Sequence, residues 1–244
     1  MSRPRTCQVR EAAVVASVVA GFAVLHRLGT SYGATHEERR SMLPGDDIVR
    51  HPQTVATHAR TIDAPPEAVW PWLVQVGWHR AGWYTPRWVD VLLFPDNLPS
   101  APRLLEGFSH LAVGDFVPDG PPVSECGFVV RDVSPGRRLV LHSTTHLPLS
   151  WRRRGRRVSW TWTFVLSPVA GGRATRLVFR WRARTYPWWL TAGVHAAIVP
   201  ADLVMSRAML RGLARRATSH TGRAPRLTTT GQEVGIRQPT GVEQ

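Results

Sequence analysis

The sequence predicts an α+β fold: a curved antiparallel sheet wrapped around one long C-terminal helix, preceded by an apolar N-terminal helix. Three observations carry this reading. From Leu111 onward the chain divides into strand-like segments separated by the turns "PDGPP", "SPG" and "VAGG". Two of these segments alternate with period two. Val158, Trp160, Trp162, Phe164 and Leu166 share one face, and Ser159, Thr161 and Thr163 the other. Likewise Leu177, Phe179 and Trp181 oppose Arg176, Arg180 and Arg182. Alternation of this kind belongs to an antiparallel sheet with one apolar and one solvated side. Residues 186–220 then read as a long helical region, interrupted or kinked at Pro200, with an amphipathic second half. An apolar sheet face must be covered, and this helix is the obvious cover.

Taken in order, residues 1–29 place Arg3, Arg5 and Arg10 before an apolar run over 12–25. That run is short beside the roughly 20 residues a spanning helix needs. A membrane anchor, a signal peptide and a helix packed on the domain are all compatible with it. Residues 30–48 are charged and end in a Pro-Gly turn, which reads as a linker. The folded domain is expected over 49–219. Thr54 to Ile62 reads as a strand. The Pro65-Pro66 pair with Glu67 starts a helix whose apolar face holds Val69, Trp70, Leu73, Val74 and Val76. Gly77 ends it and opens the stretch "GWHRAGWY", 77–84, read as a tight turn at the edge of a cavity. A second short helix, "PRWVDVLLF", and a Pro-rich loop precede the strands. Residues 220–244 are polar with scattered Gly and Pro and read as a disordered tail.

Composition narrows the function. The chain has 244 residues, a formal charge of +14, and basic residues that are all Arg. Such a charge suits an anionic membrane surface or nucleic acid, but no nucleic-acid-binding module is recognisable, so nucleic acid is disfavoured. Two cysteines far apart, with no Cys/His cluster at metal-ligand spacing, disfavour a disulfide scaffold and a structural zinc site. There is no phosphate-binding glycine loop, no nucleophile elbow and no paired-carboxylate signature. No cofactor and no metal is implied.

The residues "TIDAPPEAVWPWLVQVGWHRAGWY" closely resemble a segment of the SRPBCC superfamily, which holds START lipid-transfer domains, polyketide cyclases and birch-pollen-allergen-like proteins. Further points of likeness are Gly33-Ala34-Thr35 with Leu43-Pro44-Gly45-Asp46, Val113-Gly114-Asp115 with Pro118, "SPGRRLVL", and Arg207, Met209, Leu210 and Gly212. The resemblance spans roughly residues 33–217 and implies the helix-grip fold with an apolar cavity between sheet and C-terminal helix. It implies no single activity.

The rings expected to line that cavity are Trp78, Trp83, Tyr84, Trp160, Trp162, Phe164, Phe179 and Trp181, with plain core packing as the other role open to them. Polar groups within reach include His142, His146, Asp115, Glu125 and Tyr84. His142, in phase with Val140 on its strand, is the candidate acid/base residue. The function expected is binding of a hydrophobic small molecule or lipid by a membrane-associated domain, anchored by its N-terminus and otherwise cytoplasmic. A cyclase- or dehydratase-like enzyme and a structural or regulatory interaction domain are the alternatives.

Overall fold

The structure is a computed structural model that describes residues 5–93 and 96–221. The tail expected over 220–244 lies outside the described residues from 222 onward. Its elements are α1 (Arg5–Ser31), α2 (His36–Arg40), β1 (Thr54–Ile62), α3 (Pro66–Val74), α4 (Arg87–Leu93), β2 (Phe116–Pro118), β3 (Gly127–Ser134), β4 (Arg138–Ser143), α5 (Leu149–Arg153), β5 (Arg157–Val169), β6 (Ala174–Tyr186), α6 (Trp188–Gly193) and α7 (Val199–Thr221). The strands form one antiparallel sheet in the order β1-β6-β5-β4-β3-β2. This is a helix-grip architecture, with α7 lying along the inner face. The strand expected from Leu111 is reduced to the three residues of β2.

The register explains the core. Leu141 pairs with Trp162 and Leu139 with Phe164, and Trp162 and Phe164 pair in turn with Trp181 and Phe179. Together with Phe128 and Val130 these side chains are buried on the inner face, against Met205, Met209, Leu210 and Leu213 of α7. Pro200 accounts for the break before α7. Its ring lacks an N–H and crowds the preceding turn, and the chain takes up the slack in one π-turn, Val194–Ile198. Gly212 lets α7 approach the 77–84 turn, because a Cβ there would lie 2.0 Å from the Tyr84 carbonyl oxygen.

The middle of the outer face is not solvated. Thr161, Thr163 and Arg180 are as buried as the core. The cover is the segment 33–47, expected as a linker, which folds as a strap across the strands. Thr35 and Glu38 close a capping box on α2, and Glu38 forks onto Arg176 at 2.7 and 2.8 Å. Arg180 donates to Thr57 Oγ1, to the carbonyls of Ser41 and Glu38, and to Asp46 Oδ2 at 2.8 Å. Thr163 Oγ1 donates to the Pro44 carbonyl. The acidic residues that made this segment read as a linker are the groups that satisfy the arginines beneath it, and its Pro-Gly turn satisfies Thr163.

The 77–84 turn is held from within. Gly77 and Gly82 bridge each other, both at positive φ. Arg80 donates to the Val76 and Val74 carbonyls at the end of α3 and stacks over Phe108.

Helix α1 takes up only part of its apolar surface in packing. Gly29 sits against Val199, and His26 Nε2 meets His195 Nδ1 at 2.8 Å. Val14, Val19, Phe22, Val24, Leu25 and Leu28 are exposed. Among the described residues the stretch long and apolar enough to cross a bilayer is Trp188–Ser219, at the C-terminal rather than the N-terminal end. It contains the grip helix itself.

Candidate functional site

Between the inner face and the start of α7 lies a cavity of about 270 Å³, lined by Asp119, Phe128, His146, Trp160, Trp162, Ile198, Ala201, Asp202 and Met205. The strand register brings Trp160 and Trp162 to one wall. The π-turn and the first turns of α7 bring Ile198, Ala201, Asp202 and Met205 to the other. Larger surface grooves exist: one holds several arginines, and another, lined by Trp78, Phe116, three prolines and Cys126, is mostly apolar.

Two histidine–aspartate pairs border this space. Asp202 Oδ2 meets His58 Nε2 at 2.9 Å and accepts from Trp181 Nε1 at 2.7 Å, while Oδ1 accepts from Ser206 Oγ. One helical carboxylate thus ties α7 to β1 and β6. On the opposite wall His146 Nε2 meets Asp119 Oδ2 at 2.9 Å and Nδ1 meets Ser143 Oγ at 2.6 Å. Ser143 passes the chain on to Thr145, which donates to the Gly127 carbonyl. The ring lies between Phe128 and Trp160, with centroids 4.4 and 5.6 Å away. Burial favours its neutral form, but the hydrogen bonds and charges of Asp119 and Cys126 outweigh burial and push its pKa up to about 9. The direction favours the imidazolium, the form in which both ring nitrogens donate, to Asp119 and to Ser143.

The folded-state pKa of His146 lies above the ordinary 6.5, so this group's stabilisation is complete below about pH 6.5 and is lost as pH rises through about 9. The expected loss is at most about 3 kcal/mol, or a melting temperature lower by several degrees. His146→Gln is expected to flatten the fall, as read by thermal denaturation across that range.

The expected site residues fall into three groups. Trp160 and Trp162 line the cavity. Trp78 borders a separate groove with Phe116, Pro121 and Cys126. Trp83, Tyr84, Phe164, Phe179 and Trp181 are buried in the core. The Tyr84 hydroxyl donates to the Trp72 carbonyl and accepts from Gln75, and burial raises its pKa. Arg216 sits over its ring, 4.6 Å from the centroid.

His142 is displaced from its expected role. It is opposite Thr161, on the outer face, and its Nε2 meets Ser159 Oγ at 3.0 Å. Burial and Arg131 lower its pKa. Its phase with Val140 holds, but Val140 points under the strap, where it meets Gly45. Asp115 is exposed and accepts from the Ala112 amide. Glu125 is spent on Arg152.

Asp119, Asp202 and His58 were not foreseen. For Asp202 a signal exists: it is a carboxylate set inside the apolar run from Ile198 to Met205. Asp119 reads only as part of a "PDG" turn. Among the described residues no group of three or more His, Cys, Asp and Glu side chains is placed to hold a metal ion.

No family model matches the chain, and neither does any curated protein. Several solved structures are similar at low identity. A hypothetical protein from Helicobacter pylori is 10% identical over 75% of this chain and 99% of that chain, with a TM-score of 0.45. A norcoclaurine synthase point mutant from Thalictrum flavum, solved with a transition-state analogue, is 17% identical over 69% and 96%, with a TM-score of 0.41. A Mesorhizobium loti protein is 16% identical over 68% and 98%, with a TM-score of 0.37. Norcoclaurine synthase has the Bet v 1-like fold of the SRPBCC superfamily.

Proposed function

We propose that the chain is an SRPBCC-like binding domain that takes a small hydrophobic molecule with one polar end into the cavity beneath α7 and works at a membrane. The observation that carries this reading is the composition of that cavity: apolar walls from Trp160, Trp162, Phe128, Ile198 and Met205, with the Asp119–His146 pair on one side. Mostly apolar walls with few convergent polar groups are what a ligand site requires. The cavity of about 270 Å³ lies just below the roughly 300–1,000 Å³ typical of such sites. That suits a molecule of one or two rings or a short chain, and it disfavours the two-chain lipid that the resemblance also allows.

The membrane part of the proposal rests on the exposed apolar residues of α1. The enzymatic alternative loses its acid/base residue with His142 on the outer face. His146 borders the cavity, but both its nitrogens are engaged, which favours a fixed positive charge over a proton shuttle. Native mass spectrometry of the full chain, followed by organic extraction, tests the binding proposal. The expected result is a small apolar adduct released by solvent. A bare chain that also fails to respond to a panel of ring compounds would count decisively against it.

A further inference from the structure

A surface groove of about 870 Å³ has no role in the cavity described above. It lies at the end of the sheet where β5 begins and β6 ends, and its walls include Arg152, Arg156, Arg157 and Arg184 with the hydroxyls of Ser159 and Thr185. No carboxylate lines it. Arg152 is partly spent on Glu125 and the Ser124 carbonyl. Among the described residues, no ion pair engages Arg156, Arg157 or Arg184. This contrasts with Arg176 and Arg180, which the strap neutralises.

The rim of the groove is aromatic and faces water. Tyr186 is 66% exposed and Trp188 77%. Trp189 is 37% exposed. It stacks edge-on against Trp151 and lies under the Arg156 guanidinium. Exposed aromatic rings beside guanidinium groups that form no ion pair match the depth profile of a bilayer interface. Helix α1 leads to the same place. Its contacts His26–His195 and Gly29–Val199 advance in the same direction along both segments. The chain before Phe22, with its exposed valines, therefore heads toward the end that carries Trp188.

We propose that this arginine groove, with its rim of Tyr186, Trp188 and Trp189, is the surface on which the domain docks to an anionic phospholipid bilayer. Guanidinium groups take phosphate oxygens in a bidentate fork, the aromatic rim enters the headgroup layer, and α1 supplies the apolar insertion. A nucleic acid would use the same charges, but it gives no reason for apolar side chains to gather at the same end. The proposal rests on the reading that the domain works at a membrane.

The test uses the full chain and co-sedimentation with two kinds of vesicle, phosphatidylcholine alone and phosphatidylcholine mixed with phosphatidylglycerol. The variant Arg156→Gln/Arg157→Gln/Arg184→Gln removes the groove's charge. The variant Arg103→Gln/Arg137→Gln/Arg173→Gln removes the same charge from exposed positions outside the groove. Each basic residue near an anionic surface contributes about fivefold, so the groove variant is expected to lose on the order of 100-fold in partition to the mixed vesicles. The control variant should lose little, and all three proteins should bind neutral vesicles alike. Equal losses in both variants would overturn the groove as the docking surface. So would displacement from mixed vesicles by an RNA oligonucleotide at matched phosphate. A wild-type chain that binds neutral vesicles without preferring the mixed ones sinks the groove alone, whereas one that ignores both sinks the membrane reading as well.

Discussion

Asp46→Ala is expected to destabilise the domain by about 3–5 kcal/mol, the cost of breaking a buried ion pair from one side. Asp46 and Arg180 have side chains only 2% and 3% exposed, and Arg182 lies within 3.1 Å of the same carboxylate. Removing the acid leaves a buried guanidinium with no counter-charge. The Leu43 amide also loses its acceptor. In a domain whose total stability is about 5–15 kcal/mol, the melting temperature should drop by on the order of 10 °C. Hydrogen exchange should show the strap opening before the sheet. A loss below about 1 kcal/mol would mean that Arg180 stays hydrated and that the strap is a loose cover.

Trp83→Ala is expected to cost a similar amount, about 3–5 kcal/mol. From the sequence this ring is expected to line the cavity, in a turn at its edge. It is fully buried and meets Trp162 edge-on, with centroids 5.1 Å apart. The substitution removes a core ring and the support of a cavity wall together. Chemical denaturation should therefore register the change whether or not ligand is present, and Trp83→Phe should restore most of the loss. A variant of normal stability with altered ligand affinity would return Trp83 to the mouth.

Period-two alternation made β5 and β6 legible, because it states which residues share a face. It does not state which face is concave. Trp160 and Trp162 face inward, because aromatic rings must be covered. Thr161, Thr163 and Arg180 were misread as solvated, because the polar strap that covers them looks like a linker when taken alone. His142 failed for the same reason: its phase with Val140 was right, and the face they share belongs to the strap. The 77–84 turn was recognisable from its glycines, but Arg80 as a cap on α3 depends on a chain reversal that spacing does not reveal. The polar side of the cavity was hidden in another way. Asp119 and His146 are 27 residues apart and sit in two loops, so only the β2–β3–β4 meander brings them together.

The central claim is that the cavity beneath α7 is a ligand site, and tryptophan fluorescence tests it most directly. Small ring compounds carrying one polar group would be titrated into the full chain and into Ala201→Phe, which fills the cavity from α7. The account predicts saturable quenching of the Trp160 and Trp162 signal in the wild-type protein, and its abolition in the variant with no fall in melting temperature. Saturable binding that survives undiminished in Ala201→Phe would contradict it.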